Sequence, residues 1–130
     1  MNKEHRFDLR ARTKGFALAV LRLYSPLPRT TEAQVLGKQV LRSGTSVGAH
    51  YREATRAGLS AEFVSKIQGG LQELEETDYW LELLVEAGIV DRSRLADLFQ
   101  EAGELISIFV SSVKRAKRSS SSRPVHRSSF

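Results

Sequence analysis

The sequence has no cysteine and only three histidines, so it offers no sulfur ligand and few nitrogen ligands for a transition metal. Without cysteine the chain can form neither a disulfide nor a thiolate metal site. A cysteine-free chain fits a reducing compartment, and we expect the protein to be cytoplasmic. Apolar runs stay far below the ~20 residues that span a bilayer, and no charged-then-apolar leader opens the chain. We therefore expect neither a membrane segment nor a signal peptide.

Proline is also scarce, with three residues, and two of them divide the chain. Apolar residues recur at helical spacing from Leu9 to Tyr24, directly after Asp8, which is a good N-cap residue. Pro26 and Pro28 end this first helix because proline lacks an amide N–H and clashes with the preceding turn. No segment alternates apolar and polar residues at period two, so the sequence predicts no β-sheet.

Two longer helices follow the prolines. Thr30 or Thr31 can cap a second helix that runs to about residue 57, with Gly58 as a natural residue just after its end. Ser60 is predicted to cap a third helix, which Gly88 ends. The predicted core stripe of the second helix is Leu36, Val40, Val47, Tyr51 and Ala54.

A fourth helix starts at Asp91 or Ser93 and carries apolar residues at steps of three and four. Its predicted core residues are Leu95, Leu98, Ala102, Leu105, Phe109 and Val113. Four helices with three short connections predict an all-α protein, an antiparallel up-down-up-down four-helix bundle. We place the bundle at residues 1–116, with a short arm at its start. Serines and basic residues without an apolar period predict a disordered C-terminal tail at residues 117–130.

Glycines lie inside the second and third predicted helices, where each costs ~1 kcal/mol relative to alanine. If these helices form an antiparallel hairpin, Gly48 lies opposite Gly69 and Val47 lies opposite Gly70. Missing side chains on both helices let two backbones approach closely, so we interpret these glycines as packing positions. A phosphate-binding loop would need them between a strand and a helix start, which is not their setting.

Charge is distributed unevenly along the chain, whose net charge is +5. Residues 1–66 carry twelve basic and five acidic residues, residues 67–113 carry two and ten, and residues 114–130 carry six basic and no acidic ones. The three parts therefore have net charges of +7, −8 and +6. Such polarity favours attraction to a polyanion and head-to-tail contact between copies. Solubility without any partner is the alternative explanation.

The second predicted helix has a different chemistry on each of its sides. Helical spacing places a basic stripe opposite the core stripe, and this basic stripe can contact phosphates or the acidic half of a neighbouring copy. The basic C-terminal stretch can tether a polyanion in the same way. The predicted nucleic-acid-binding residues are Lys38, Arg42, Arg52, Arg56, Lys114, Arg115, Lys117 and Arg118.

One flank of the same helix is polar and comprises Gln39, Ser46, His50 and Glu53. We predict that this polar seam is structural and hydrogen-bonds a neighbouring helix. His50 and Glu53 lie one turn apart, but a di-metal bundle needs several more inward-facing ligands. Pairing of His50 with Ser43 or Ser46 for catalysis lacks a visible oxyanion element. We therefore predict no metal, no cofactor, no catalytic residue and no enzymatic activity.

The third predicted helix is acidic and carries two aromatic residues away from its core stripe. On a helical projection Tyr79 and Trp80 both point roughly 130° from the centre of that stripe. Charge runs are usually solvated, but large aromatics outside a core are enriched at interfaces. The predicted oligomer interface, which packs near the basic second helix of another copy, comprises Tyr79, Trp80, Glu73 and Glu76.

Ordered sets of small and polar residues in this chain resemble a bacterial family, the four-helix-bundle proteins related to the intervening-sequence protein of large ribosomal RNA. The matching segments are Leu41-Arg42-Ser43, Ser46-Val47-Gly48-Ala49-His50-Tyr51-Arg52-Glu53-Ala54, Arg56-Ala57, Ser60, Glu62-Phe63, Lys66, Glu75-Glu76-Thr77 and Tyr79-Trp80-Leu81. With the proline-bounded first helix, the similarity runs from about Phe7 to Val113. The chain departs from the family at His50, where asparagine is usual, and at Gln72, where relatives often have lysine.

The resemblance implies an antiparallel bundle that assembles into a ring, a pentamer. Some relatives are encoded inside ribosomal RNA insertions, and others are accessory proteins of diversity-generating retroelements that bind nucleic acid and a reverse transcriptase. No catalytic residue can be carried over from the family. The leading hypothesis is therefore a cytoplasmic, non-enzymatic, ring-forming bundle that binds RNA or DNA as a scaffold or accessory factor. The alternative is a protein–protein interaction scaffold with no nucleic-acid role.

Overall fold

The computed structural model describes residues 8–121, which form four α-helices joined by short connections. The helices are α1 (Leu9–Tyr24), α2 (Thr31–Thr55), α3 (Ser60–Glu86) and α4 (Arg92–Ser121). No β-strand occurs within this part of the chain, so the predicted all-α four-helix bundle is confirmed. None of these helices combines the length and the apolar character that a bilayer crossing requires, as judged over residues 8–121.

The predicted start signals are confirmed for three of the four helices. Asp8 Oδ1 accepts the amide N–H three residues further on at 3.1 Å, and Thr30 Oγ1 does the same at 3.3 Å. The helix α4 begins directly after Asp91. The prediction for α3 is wrong, because Leu59 occupies the N-cap position without a side-chain bond and Ser60 is already helical. The amides at the start of α3 therefore lack the hydroxyl acceptor that a serine cap supplies.

The end of α3 shows why one of the two predicted terminal glycines is correct. Gly88 has a φ of 75°, a left-handed conformation that glycine adopts without steric cost. The amides of Gly88 and Ile89 donate to carbonyl oxygens of the last turn at 3.0 Å each, which is a Schellman motif. By contrast, Arg56 caps α2, and Gly58 lies two residues later without a positive φ. The prediction that Gly58 ends α2 is therefore wrong.

Adjacent helices run antiparallel, as polar pairs between α2 and α3 show directly. The Ser43 and Thr77 hydroxyls are 2.7 Å apart, whereas nearer the α2–α3 turn Lys66 Nζ lies 3.0 Å from Glu53 Oε1. The chain therefore follows the predicted up-down-up-down path. The contact between α2 and α3 is the most extensive in the bundle, and the contact between α1 and α4 is much smaller.

The core takes one stripe from each helix. Every residue of the predicted α4 stripe is buried, which confirms that prediction. In α2, Val40, Val47 and Ala54 are buried as predicted, but Leu36 and Tyr51 remain partly exposed. Four small residues of α2 that were not predicted to lie in the core are also buried, namely Ala33, Gly37, Ser43 and Gly44. The helix α2 is buried over a wider arc than one stripe because α1 and α3 flank it on both sides.

Glycines of α2 let this helix approach α1 closely. A Cβ atom on Gly44 would lie 2.8 Å from Val20 Cγ2, and one on Gly48 would lie 3.2 Å from Thr13 Oγ1. The interpretation of these glycines as packing positions is confirmed. Their predicted partner is wrong, however, since Gly48 faces α1 and not Gly69 of α3.

The glycine pair of α3 accommodates two rings. A Cβ on Gly70 would lie 2.7 Å from Phe109 Cε2, and one on Gly69 would lie 2.8 Å from His50 Nδ1. Phe109 can therefore enter the core between α3 and α4, where its ring centroid lies 6.3 Å from that of Tyr51. Glycine at both positions thus makes room for side chains of two different neighbouring helices.

The helix α4 is longer than the sequence analysis predicts. It continues to Ser121, so residues 117–121, assigned to the tail, are helical. The predicted arm at residues 1–7 and the remaining tail at residues 122–130 lie outside the described residues. Basic residues that were assigned to a tail are therefore placed on the last turns of a helix.

Substitution of Gly44 by alanine should destabilise the bundle by about 1–3 kcal/mol. The new methyl group would contact Val20, whose β-branched side chain is held in one rotamer in a helix and cannot move aside. The matched control is Gly15→Ala, since a Cβ there meets nothing within 4 Å. This control should raise stability by about 0.5–1 kcal/mol. Urea unfolding followed by circular dichroism measures both, and equal effects of the two substitutions would contradict the packing role.

Candidate functional site

Two buried hydroxyl groups set the register between α2 and α3. Ser43 Oγ and Thr77 Oγ1 lie 2.7 Å apart, and both residues are 0% exposed. Their oxygens also lie 2.9 Å and 2.8 Å from the carbonyl oxygens of Gln39 and Glu73. Buried polar groups need such partners, so one helical alignment satisfies both hydroxyls. This pair was not predicted from the sequence, where Ser43 was considered only as a possible catalytic partner of His50.

Arg42 is paired within its own chain. Its guanidinium lies 2.9 Å from Glu76 Oε1 and 3.5 Å from Glu73 Oε1. The side chain of Glu73 is only 17% exposed, whereas that of Arg42 is 54% exposed. One residue predicted to bind nucleic acid therefore neutralises two residues predicted to contact another copy. Their charges are less available to partners than the sequence analysis expects.

The four residues of the predicted polar seam form two groups: two residues contact α3, and two bond only within α2. His50 Nε2 lies 3.8 Å from Glu73 Oε2, and Glu53 binds Lys66, so His50 and Glu53 both face α3. Gln39 instead accepts from the Arg42 Nε–H at 3.3 Å, within α2. The Ser46 hydroxyl donates to the backbone carbonyl of Arg42 at 2.7 Å, also within α2. Contact with the neighbouring helix is thus made by the two members of the seam that lie nearest the α2–α3 turn.

The surroundings of His50 are mixed in charge. Its Nδ1 atom and Glu73 Oε1 are buried without a hydrogen-bond partner, although the Arg42 charge lies 3.5 Å from that oxygen. The imidazole also packs against the backbone of Gly69. Across residues 8–121, no three His, Asp or Glu side chains converge as metal ligands would. The arrangement is one of helix packing through ion pairs.

Tyr79 and Trp80, predicted to lie at an interface, differ in exposure. Tyr79 is 53% exposed, whereas Trp80 packs partly against the core. Their ring centroids are 5.1 Å apart at an angle of 59°. The Trp80 Nε1–H is buried and has no acceptor. Tyr79 is therefore the aromatic side chain that this face presents to solvent.

Six of the eight predicted nucleic-acid-binding residues come together at one end of the bundle. In an up-down-up-down bundle, the start of α1 and the ends of α2 and α4 lie at the same end. We call this surface the basic end, and its residues are Arg10, Arg52, Arg56, Lys114, Arg115, Lys117 and Arg118. All of them are exposed except Arg52, which is half-buried. Sequence reasoning missed Arg10, which helix order alone could have placed here.

Lys38 and Arg42 do not belong to the basic end. Fourteen residues separate Lys38 from Arg52 on α2, so they lie ~21 Å apart along the helix. Acidic residues at the basic end are few, namely Asp8, Glu53 and Glu62, and Glu53 is paired with Lys66. Positive charge is therefore in excess at this end.

A groove of about 690 Å³ lies where α1 and α4 meet loosely. Its floor is apolar, with Phe16 and Leu98 among the lining residues. The Arg12 guanidinium crosses the groove and lies 2.6 Å from Glu101 Oε1 and 2.8 Å from Glu104 Oε1. The hydrogen bond to Glu101 is the main cause that raises the pKa of Arg12. These charged side chains close the bundle between its first and last helices.

The effects of removing the Ser43 and Thr77 hydroxyls on the free energy of unfolding should not be additive. Thr77→Val and Ser43→Ala should each destabilise the protein by about 1 kcal/mol, because each leaves the other hydroxyl short of a partner. The double variant should lose less than the sum of the two. Thr45→Val is the control, since the Thr45 hydroxyl is exposed and bonds only its own helix. Strict additivity in urea unfolding would contradict the pairing.

The ion pair between Lys66 and Glu53 should make stability depend on pH. The hydrogen bond from Lys66 lowers the pKa of the Glu53 carboxyl below its usual 4.5. A carboxyl whose pKa is lowered on folding stabilises the protein above its unfolded pKa and loses this effect as the pH falls. The advantage of the natural protein over Glu53→Gln should therefore be present near neutral pH, decline as the pH falls through about 4.5, and vanish below the lowered pKa that Glu53 has in the folded protein.

This dependence is measured by urea unfolding of both proteins at several pH values. In a Lys66→Met background, the pH-dependent effect of Glu53→Gln should be much smaller, because the largest cause of the lowered pKa is gone and only the charges of His50 and Arg56 remain. An advantage of Glu53 that persists in acid, or that is undiminished by the loss of Lys66, would contradict the assignment.

Comparison with known proteins identifies the family. A family model described as "23S rRNA-intervening sequence protein" matches residues 6–111. The fold is similar to the crystal structure, at 1.70 Å resolution, of a protein with unknown function from the S23 ribosomal protein family of Bacteroides thetaiotaomicron. The two chains are 35% identical with a TM-score of 0.76, over 81% of this chain and 97% of the other. None of the curated proteins is significantly similar. The chain therefore belongs to the 23S rRNA-intervening sequence protein family.

Proposed function

We propose that the protein is a non-enzymatic, ring-forming helical bundle that binds RNA or DNA through its basic end, as a scaffold or accessory factor in the cytoplasm. The observation that carries this proposal is the convergence of basic side chains from three helices at one end of the molecule. The family description refers to ribosomal RNA, which favours RNA as the polyanion. A pentameric ring is what the sequence resemblance implies.

Electrostatics supports phosphate binding at the basic end. Lys114, Arg115 and Lys117 are exposed on the last turns of α4 and have no ion pair within residues 8–121. Lysine and arginine that contact phosphates release counterions from the nucleic acid, so affinity rises steeply as salt falls. In a ring this surface recurs in every subunit, and modest contacts add through multivalency. Binding of this kind does not depend on base sequence.

A non-enzymatic role fits the polar side chains that the bundle holds. The family description names no reaction, and the structural neighbour is described as having unknown function. His50, the residue best suited to acid–base chemistry, lies between α2 and α3 beside Glu73 and against Gly69. A general base must reach a substrate proton, and this packing restricts its access.

A second candidate function is a protein–protein interaction scaffold without nucleic acid. The observation that favours it is the exposed Tyr79 ring beside Trp80, whose indole N–H lacks an acceptor. A protein partner, such as the reverse transcriptase that the retroelement resemblance implies, could cover this face. Binding experiments separate the two candidates.

RNA binding should fall steeply with salt and depend on the end of α4. Fluorescence anisotropy with a labelled duplex RNA of about 20 base pairs measures the binding constant as a function of salt. Lys114→Ala/Arg115→Ala should lower the slope of log K against log salt by about 1.4–1.8, since each lost phosphate contact accounts for about 0.7–0.9.

The matched control for this experiment is Arg22→Ala/Arg94→Ala. It removes two exposed helical arginines from the opposite end of the bundle. The control should bind as the natural protein does. Absence of binding at low salt by an intact oligomer would reject the nucleic-acid role and favour the protein scaffold. Equal losses in both double variants would reject the basic end as the site.

A further inference from the structure

The outer face of α3 carries negative charge around one exposed aromatic ring. Tyr79 points away from the core, and residues on the same side of the helix or on its flank are acidic. We call this surface the acidic ridge, and its members are Glu75, Asp78, Tyr79, Glu82 and Glu86. No lysine or arginine occurs between residues 67 and 91. The ridge carboxylates have no ion pair within residues 8–121.

The ridge is destabilising for an isolated helix. Asp78 and Glu82 are like charges four residues apart, as are Glu82 and Glu86, and such pairs repel each other. Glu86 also lies in the last turn of α3, which has no basic residue, where the helix dipole disfavours negative charge. On the adjacent flank Arg42 compensates Glu73 and Glu76, but nothing within residues 8–121 compensates the ridge. A cationic partner would relieve this repulsion.

The end of α4 has the complementary pattern. Lys114, Lys117 and Arg118 are like charges three and four residues apart on one exposed helix surface. Within one molecule the two surfaces cannot meet, because the ridge lies toward the end of α3 and α4 runs antiparallel to it. Lys114 is level with the start of α3, about 15 residues from Tyr79, which corresponds to ~22 Å along the axis. Contact between the two surfaces therefore requires two molecules.

We propose that the acidic ridge of one copy binds the end of α4 of a second copy, with Tyr79 against an arginine guanidinium. Charge complementarity selects this occupant, since the ridge repels nucleic acid and attracts the end of α4, where four basic residues lie within five positions and no acidic residue interrupts them. An exposed tyrosine ring adds a cation–π surface for arginine. Each copy has one ridge and one basic helix end, so the contact is head-to-tail and can close into a ring.

The contact has a regulatory consequence that rests on the proposed RNA binding. The same cations of α4 would serve the ridge of a neighbouring copy and the phosphates of RNA. Assembly and RNA binding then compete for one surface, and RNA at sufficient concentration releases the ridge. The acidic ridge would thus bind the same cations of α4 that the phosphates of RNA bind.

A charge-swap experiment tests the contact without RNA. One variant reverses the ridge, Glu75→Lys/Glu82→Lys, a second reverses the helix end, Lys114→Glu/Lys117→Glu, and a third combines all four substitutions. Light scattering at low salt measures the mass of each protein against concentration, and circular dichroism verifies the helical content. Each reversal alone should weaken association about tenfold or more, because like charges then face each other. The combined variant restores opposite charges and should associate as the natural protein does.

The control is Glu32→Lys/Asp97→Lys, which changes the net charge as the ridge variant does but at exposed positions on α2 and α4. It should leave association unchanged. Unchanged mass in either single reversal, a failure of the combined variant to recover, or loss of association in the control would overturn the proposal. Recovery through a different pair of surfaces is excluded when the two single reversals, mixed together, also associate.

An RNA titration separates this proposal from the proposed function. The ridge variant should bind the duplex RNA at least as tightly as the natural protein, since its helix end no longer has a competitor. Weaker RNA binding by the ridge variant would overturn the competition. A protein that passes the charge swap but binds no RNA would keep the contact and lose the proposed function.

Discussion

The close approach of α2 to both of its neighbours is the constraint on which the bundle depends. Gly44 and Gly48 bring α2 against α1, while the buried Ser43–Thr77 pair aligns it with α3. A helix held from two sides cannot rotate without placing a side chain into a backbone or a hydroxyl into an apolar layer. The positions of Arg42, His50 and Glu53 follow from this single orientation. Packing of small residues thus determines which charges are neutralised inside the molecule.

The local elements were largely predictable from the sequence, whereas lateral contacts were not. Apolar periodicity and capping residues such as Asp8 and Gly88 identified four helices, because these signals act within a few residues of the chain. The prediction that Ser60 caps α3 was wrong because a capping preference of about 1 kcal/mol is easily outweighed by packing. The partners of Gly48 and Arg42 were not predicted, because α2 has a neighbour on each side and the sequence does not show which side faces α1 and which faces α3. Only the helix order, known from the topology, would have placed Arg10 with the end of α4.

Positive and negative charges are separated more clearly on the surface of the folded protein than along its sequence. Two arginines of the basic first part of the sequence are paired inside the molecule, Arg42 with α3 and Arg12 with α4, and other basic residues join the end of α4 at the basic end. The acidic part divides in the same way, between Glu73 and Glu76 beside Arg42 and an uncompensated outer face. What remains after internal pairing is a molecule with two separate surfaces of opposite sign. Such a molecule is suited to ordered assembly and to polyanions, and the two uses draw on the same few side chains.

The length of α4 bears on how freely the surface charge of the protein can vary. The family model ends at residue 111, and Val113 is the last buried side chain among residues 92–119 of α4. The charged residues that follow, Lys114, Arg115 and Lys117, are exposed, so substitutions of them should change the free energy of unfolding little. The net charge of this surface can therefore be changed while the packing of the bundle stays intact.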